Sequence, residues 1–314
     1  MKAMIQMILY RILKNKLYFF ISLLIIPVVL FSAIFFAFPT TSKTKIVVVG
    51  RREPIVIEEI QAIVLDKAPP FSELVEGKYD AIVTFQKDGS YTIDTIKNQE
   101  SVETLSQVLD GKLQAFPAPS RGKVTSFVGF ISLFILLFNS MLFKFYYEER
   151  GGVETRILST RISFTTYACS HFLVLFSISF FPTAILSLGA NTFLFASGIS
   201  NANLLLAIFV LSFFATSFNF FIASVAKTEE SGSLVASMII MIGTLLSGAL
   251  LEVKHNSVTG LLSMLFPQTH IMNFIGGLEQ GETVQYLAMP VIILLSLVCM
   301  VIGIGALKRR VTQK

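Results

Sequence analysis

Histidine and cysteine are the side chains that most often carry acid–base, nucleophilic or metal chemistry, and this sequence holds three of the first and two of the second. His171, His255 and His270 are scattered, and no H-E-x-x-H run occurs, so the spacing offers no metal site. Cys169 and Cys299 lie inside apolar runs and read as buried thiols acting as small hydrophobes. Ser170 and Ser177 are serines near His171 in sequence. A residue one place away does not face it, and one six places on lies about 600° round a helix, so neither forms a nucleophile–base pair. G-x-S-x-G is absent, which removes the hydrolase elbow. G-x-x-x-x-G-K-S/T is absent too, so the chain has no P-loop with which to bind ATP itself.

The remaining concentration of chemistry is charge. Tyr147–Tyr167, YEERGGVETRILSTRISFTTY, is a short charged island carrying Glu148, Glu149, Arg150, Glu154, Arg156 and Arg161. Val153 and Ile157 stand four apart with Leu158 beside them, which predicts a short surface helix over about 148–160; an ordinary solvated loop is the competing reading. On either side lie apolar runs, Thr125–Phe145 and Ile162–Leu188, each long enough to cross a bilayer, which takes roughly 20 residues. The island is therefore held against one membrane face.

Composition fixes the class of those flanking elements. The chain of 314 residues is 54% hydrophobic and only 14% charged, with a mean hydropathy of +0.72. A soluble domain of this size does not need so much apolar surface, so the fold is an α-helical integral membrane protein. A net charge of +5 raises nucleic acid as a partner, but no basic patch with interleaved aromatics supports it. Thirty Phe and no Trp leave Tyr, Lys and Arg as the interface anchors.

In chain order, Met1–Lys16 is amphipathic and reads as a helix lying on the membrane surface. It leads into a first span, Leu17–Phe38, kinked at Pro27. Its apolar core is longer than a signal-peptide h-region, which favours an uncleaved helix. Residues 1–38 thus form the first unit. Residues 39–123 change character to a small α/β domain outside the membrane. Strands are expected at Lys45–Val49, Asp80–Phe85 and Tyr91–Ile96, helices at Pro54–Leu65 and Ser101–Leu113, and turns at Ala68-Pro69-Pro70 and Asp88-Gly89. Leu74–Ala81, LVEGKYDA, reads as a helix end followed by a strand. Residues 124–314 hold spans two to six, the last three at Asn203–Ala226, Ser231–Leu251 and Leu287–Leu307. Between the final two, Val258–Phe266 is apolar but too short to cross, so a re-entrant or interfacial segment is expected over about 256–275, with Pro267 ending the apolar piece.

The short pieces on the island's side carry an excess of Lys and Arg over Asp and Glu, which puts both termini and the island in the cytoplasm and the α/β domain outside. No Asp, Glu, Lys or Arg lies in the spans away from their ends, whereas an ion-coupled carrier usually needs one. Asn139, His171 and Asn219 are the most polar groups there. Each can serve a helix–helix hydrogen bond or line a substrate path.

The order of these parts resembles the membrane subunit of an ABC-2 type transporter with the type V exporter fold. The family's island often reads E-x-x-x-G-T-x-x-R-L-L-x-T-P-I-S-x-x-x-Y. This chain has Glu148, Gly152, Arg156, Ile157, Leu158, Thr160, Ile162, Ser163 and Tyr167 at those places, with Val153 where Thr is common and Arg161 where Pro is common. Ser247-Gly248 followed by Leu265-Phe266-Pro267-Gln268-Thr269-His270 is similar to a second family stretch. Gly77–Ala81 is similar to strands of the members with an extracytoplasmic insert.

The resemblance implies a permease subunit of an ATP-driven exporter in a prokaryotic plasma membrane, paired with a second permease subunit, identical or related. Each would bind a separate ABC ATP-binding subunit that carries ATP and Mg, with no cofactor in this chain. Glu148, Glu149, Arg150, Glu154, Arg156, Ile157, Leu158 and Arg161 would then dock on that ATPase as the coupling helix. Charge-free, Phe-rich spans suit lipophilic or amphipathic cargo such as a peptide, drug or lipid. Two other classes stay open: a receptor or immunity-type membrane protein whose external domain binds a ligand, and a membrane-embedded enzyme, for which no nucleophile–base pair is visible.

Overall fold

The computed structural model describes residues 1–37, 44–50, 60–65, 67–75, 78–85, 90–95, 102, 105–107, 109, 122–150, 152–195, 198–250, 258–281 and 286–312. They fall into two compact units, one made of Met1–Phe38 with Arg121–Lys314 and the other of Pro39–Ser120.

The larger unit is helical. It contains α1 (Lys2–Lys14), α2 (Lys16–Ala37), α4 (Lys123–Leu142), α5 (Lys144–Glu149), α6 (Val153–Leu158), α7 (Phe164–Ala190), α8 (Asn201–Val225), α9 (Glu229–Leu246), α10 (Val258–Ser263), α11 (Pro267–Glu279) and α12 (Ala288–Thr312). Five described stretches are long and apolar enough to cross a membrane: Lys123–Glu149, Phe164–Phe195, Asn201–Val225, Glu229–Leu246 and Ala288–Thr312. With 22 residues α2 has the length of a sixth, and it runs through Pro27 without a break. Amphipathic α1 buries Met4, Ile8 and Ile12, one every turn, against this bundle.

The helix starts are written locally. Ser163 and Ser200 accept from the backbone N–H groups of Thr166 and Asn203, and Thr228 and Ser231 form a reciprocal capping box ahead of α9. Helices α4 and α8 are the most buried spans, whereas α9 and α12 turn Leu234, Met238, Leu294 and Val301 outward. An apolar surface of that extent is at home in lipid, where it needs no cover. The chain is a multi-pass membrane protein.

The smaller unit holds a four-stranded sheet in the order β2-β1-β3-β4: β1 is Thr44–Val49, β2 Ile60–Leu65, β3 Ala81–Phe85 and β4 Tyr91–Asp94. Strand β1 pairs parallel with both β2 and β3, and β3 pairs antiparallel with β4. Being central, β1 is covered on both faces. Ile46 and Val48 pack with Ala81, Val83 and Leu105, while Val47 and Val49 pack with Ile82 and Leu74 of α3 (Ser72–Val75). Hence its uninterrupted β-branched run.

Three expectations are corrected. The helix read over Pro54–Leu65 is a strand at Ile60–Leu65, where apolar, β-branched residues take a place beside β1 and pairing overrides local pattern. Its first part, and the Asp88-Gly89 turn, lie outside the described residues. Pro267 does not simply end an apolar piece. It opens α11 at the first helical position, where its missing N–H costs nothing, and that helix runs on to Glu279. The span expected to reach Leu251 stops at Leu246, just before Gly248 takes up φ 72°.

Candidate functional site

The charged island folds as two short helices rather than one. Helix α5 continues the direction of α4 past a turn at Phe143 and carries Glu148 and Glu149. Gly152 then adopts φ 117°, open only to glycine at little cost, and re-aims the chain into α6. The surface helix expected over 148–160 is therefore the six residues Val153–Leu158, and Glu148, Glu149 and Arg150 belong to the end of the preceding span.

Its two central acids face inward. Glu149 is 1% exposed; it accepts from the Tyr167 hydroxyl at 2.6 Å, lies 3.0 Å from His171 Nε2 and pairs with Arg11 of α1. A carboxylate can only accept, so Nε2 of His171 is the donor in that contact. Its Nδ1 has no partner among the described residues. Glu154 is 2% exposed and pairs with Arg310 of α12. Arg310 also donates to the Tyr146 hydroxyl and the Ser224 carbonyl, both at 3.3 Å. Arg150 donates to the Ala226 carbonyl at 2.6 Å and lies over the rings of Tyr147 and Tyr146, 4.4 and 5.4 Å from their centres.

The island is thus tied to the first helix by Glu149, to the last by Glu154 and to the end of α8 by Arg150. These three side chains, expected among the docking residues, have partners within the chain, as charges this close to the membrane interior need. What faces outward is Glu148, Val153, Thr155, Arg156, Ser159, Thr160 and Arg161, with Ile157 and Leu158 half-buried against the core. Arg11, Arg310 and Tyr146 were missed by the sequence reading. The available signal was the placing of arginines in the last turns of α1 and α12.

Deeper in the bundle, Asn139 donates to Ser179 Oγ on α7 at 3.1 Å and accepts from Thr216 on α8 at 3.0 Å. Asn219 donates to the Leu136 carbonyl across α4 and α8 at 3.2 Å. With His171 they are 0–2% exposed, and all three join helices. A groove of about 460 Å³ does lie between α4 and α9, lined by Leu137, Ser140, Met141, Lys144, Glu229, Ser233 and Ser237.

Among the described residues no His, Cys, Asp and Glu come together in a group able to hold a metal ion. Among the described residues of the island, the side-chain contacts are ion pairs and hydrogen bonds that fasten helices to one another.

Comparison with curated proteins finds no match. The family model of the ABC-2 type transporter matches residues 94–279, a stretch that takes in the island, four of the five candidate spans and the α10–α11 pair. Covering more than half of the chain, that match shows that the chain belongs to the ABC-2 type transporter family and is a membrane permease component of an ABC transporter.

Proposed function

We propose that this chain is one half of an ATP-driven exporter, and that α6 is where a separate ABC ATP-binding subunit pushes on it. The family implies an ATP-binding partner. The observation that carries the finer reading is the bracing of α6: an exposed six-residue helix whose one buried acid, Glu154, is held by Arg310 on the last span. A force on α6 then reaches α12 through a short charged contact, instead of dissipating in a loop. Arg156, Arg161, Thr155 and Val153 supply the outward contact, with Ile157 and Leu158 packed beneath. ATP and Mg belong to the partner subunit, and this chain transports without catalysing.

In this reading the island and both termini are cytoplasmic, the sheet unit is outside, and the membrane is a prokaryotic plasma membrane. A second permease subunit completes the path. Cargo is lipophilic or amphipathic. The groove between α4 and α9 supports that choice, setting the hydroxyls of Ser140, Ser233 and Ser237 beside Leu137 and Met141, which suits a molecule with one polar and one apolar side.

The test is isolation of the chain from its own membrane in mild detergent, followed by an ATPase assay on whatever accompanies it. A stoichiometric ATP-binding subunit whose hydrolysis an apolar peptide stimulates is the expected result. Stimulation by a polar glycan alone would overturn the cargo. Reproducible absence of any ATPase would leave the receptor reading, with the sheet unit as the place to seek a ligand.

A further inference from the structure

Helix α11 is fastened to two spans by two different polar contacts. At its first turn, Gln268 donates to Thr244 Oγ1 on α9 at 3.1 Å, and both side chains are buried. The approach is close because residue 243 is glycine: a Cβ there would stand 2.5 Å from Phe266 and 2.7 Å from Gln268. At its last residue, Glu279 accepts from the backbone N–H groups of Val124 and Thr125, each at 2.9 Å, and from the Thr125 hydroxyl at 2.8 Å. Gly122 makes room for that carboxylate, which a Cβ would strike at 1.9 Å.

These contacts lie at one end of α4 and α9. The same two helices meet again at their other ends, where Gly232 of α9 approaches the Tyr147 hydroxyl just past α4, and the groove between them is lined by residues of that half. Helix α11 therefore bridges the pair at the end opposite the groove and the island. The two fastenings are unequal. The Gln268–Thr244 contact is neutral and dry. The Glu279 carboxylate is part-exposed and sits on the amide groups at the start of a helix, where water can replace it once it leaves.

We infer that Glu279 is a positioning residue: a releasable latch that holds α11 across the outer ends of α4 and α9, and that lets go when movement at the island travels along α4. The inference rests on the transporter reading above, since it needs a driven cycle. Helix α4 is suited to carry the movement. It is a continuous helix of 20 residues, about 30 Å long, with Glu279 on its first amides and the braced island beyond its last turn. While the latch is shut, α11 closes the space between α4 and α9 at that end. Open, it frees a way out for a molecule lying in the groove.

Nitroxide labels at Ser126→Cys and Gln280→Cys, with Cys169→Ala and Cys299→Ala as background, report the span between the two elements by electron spin resonance. The complex with its ATPase is measured without nucleotide and trapped with ATP and vanadate. One short distance is expected without nucleotide, and a second population longer by roughly 5 Å, one helical turn, in the trapped state. Glu279→Gln is expected to populate the longer distance without nucleotide, and Thr125→Val, which removes one of three bonds, to do so in part. A single distance in both states, or a Glu279→Gln complex indistinguishable from the parent, overturns the latch alone. A chain that recruits no ATPase overturns the transporter reading and the latch with it.

Discussion

Arg310, in the last turn of α12, meets the carboxylate of Glu154 in α6, 156 residues earlier in the chain, with its guanidinium 5.9 Å from the centre of the Tyr146 ring. The two partners are not equally buried: the Glu154 side chain is 3% exposed and that of Arg310 22%. Arg11 and Glu149 repeat the arrangement at the other end of the chain, again with the acid on the island and the base on a terminal helix. Such pairs add little net stability over an apolar substitute, but removing one partner strands the other.

That inequality sets the first prediction. Arg310→Ala leaves Glu154 buried without its cation and should cost about 3 kcal/mol. Glu154→Ala leaves Arg310 with the Tyr146 hydroxyl, the Ser224 carbonyl and some water, and should cost about 1 kcal/mol. The double variant should resemble Glu154→Ala, giving a coupling energy of a few kcal/mol in a double-mutant cycle read by denaturant titration in detergent. Equal costs for the two single variants would refute the account from burial.

Arg156 makes the opposite case. It is exposed on α6, and no described contact holds its side chain. Arg156→Glu should therefore change the stability of the isolated chain by less than about 0.5 kcal/mol. Its effect belongs to the partner. Binding of the ATPase should weaken roughly tenfold at low salt and converge on the parent as salt rises through the range that screens exposed charges. Co-purification at graded ionic strength measures this, and parent-like binding at low salt would remove Arg156 from the contact. Ile157→Asp should instead lower stability and binding together, because Ile157 packs against the bundle core.

The contrast between Arg156 and Glu154 also marks what could be read from sequence. Long apolar runs announce spans because no other structure buries them, and Gly152, Ser163 and Thr228 write their turn and caps locally. The island was visible for the same reason, as charge between spans. Which charges point outward was not visible. Glu149 and Glu154 face inward only because Arg11 and Arg310, from the far ends of the sequence, arrive beside them. Nothing local to Glu279 announces a partner, and only the fold puts the amides of Val124 and Thr125 against it. The strand at Ile60–Leu65 likewise needs β1 as neighbour before its pattern becomes a strand.

Asn139 separates a fastening from a path. Its amide joins three helices, donating to Ser179 on α7 and accepting from Thr216 on α8 while riding on α4. Thr216 keeps a second contact, to the Ser212 carbonyl at 2.8 Å, if Asn139 is lost. Asn139→Leu should then cost only about 1 kcal/mol, the usual size of an interhelical hydrogen bond in a membrane. Thr216→Val removes the hydroxyl that Asn139 Oδ1 needs, and should cost a similar amount. Because both residues are buried, neither change should alter which molecules stimulate the partner's hydrolysis. Melting of the purified variants, set beside stimulation by a panel of apolar peptides, decides the matter. A changed peptide preference with unchanged stability would put Asn139 on the substrate's route after all.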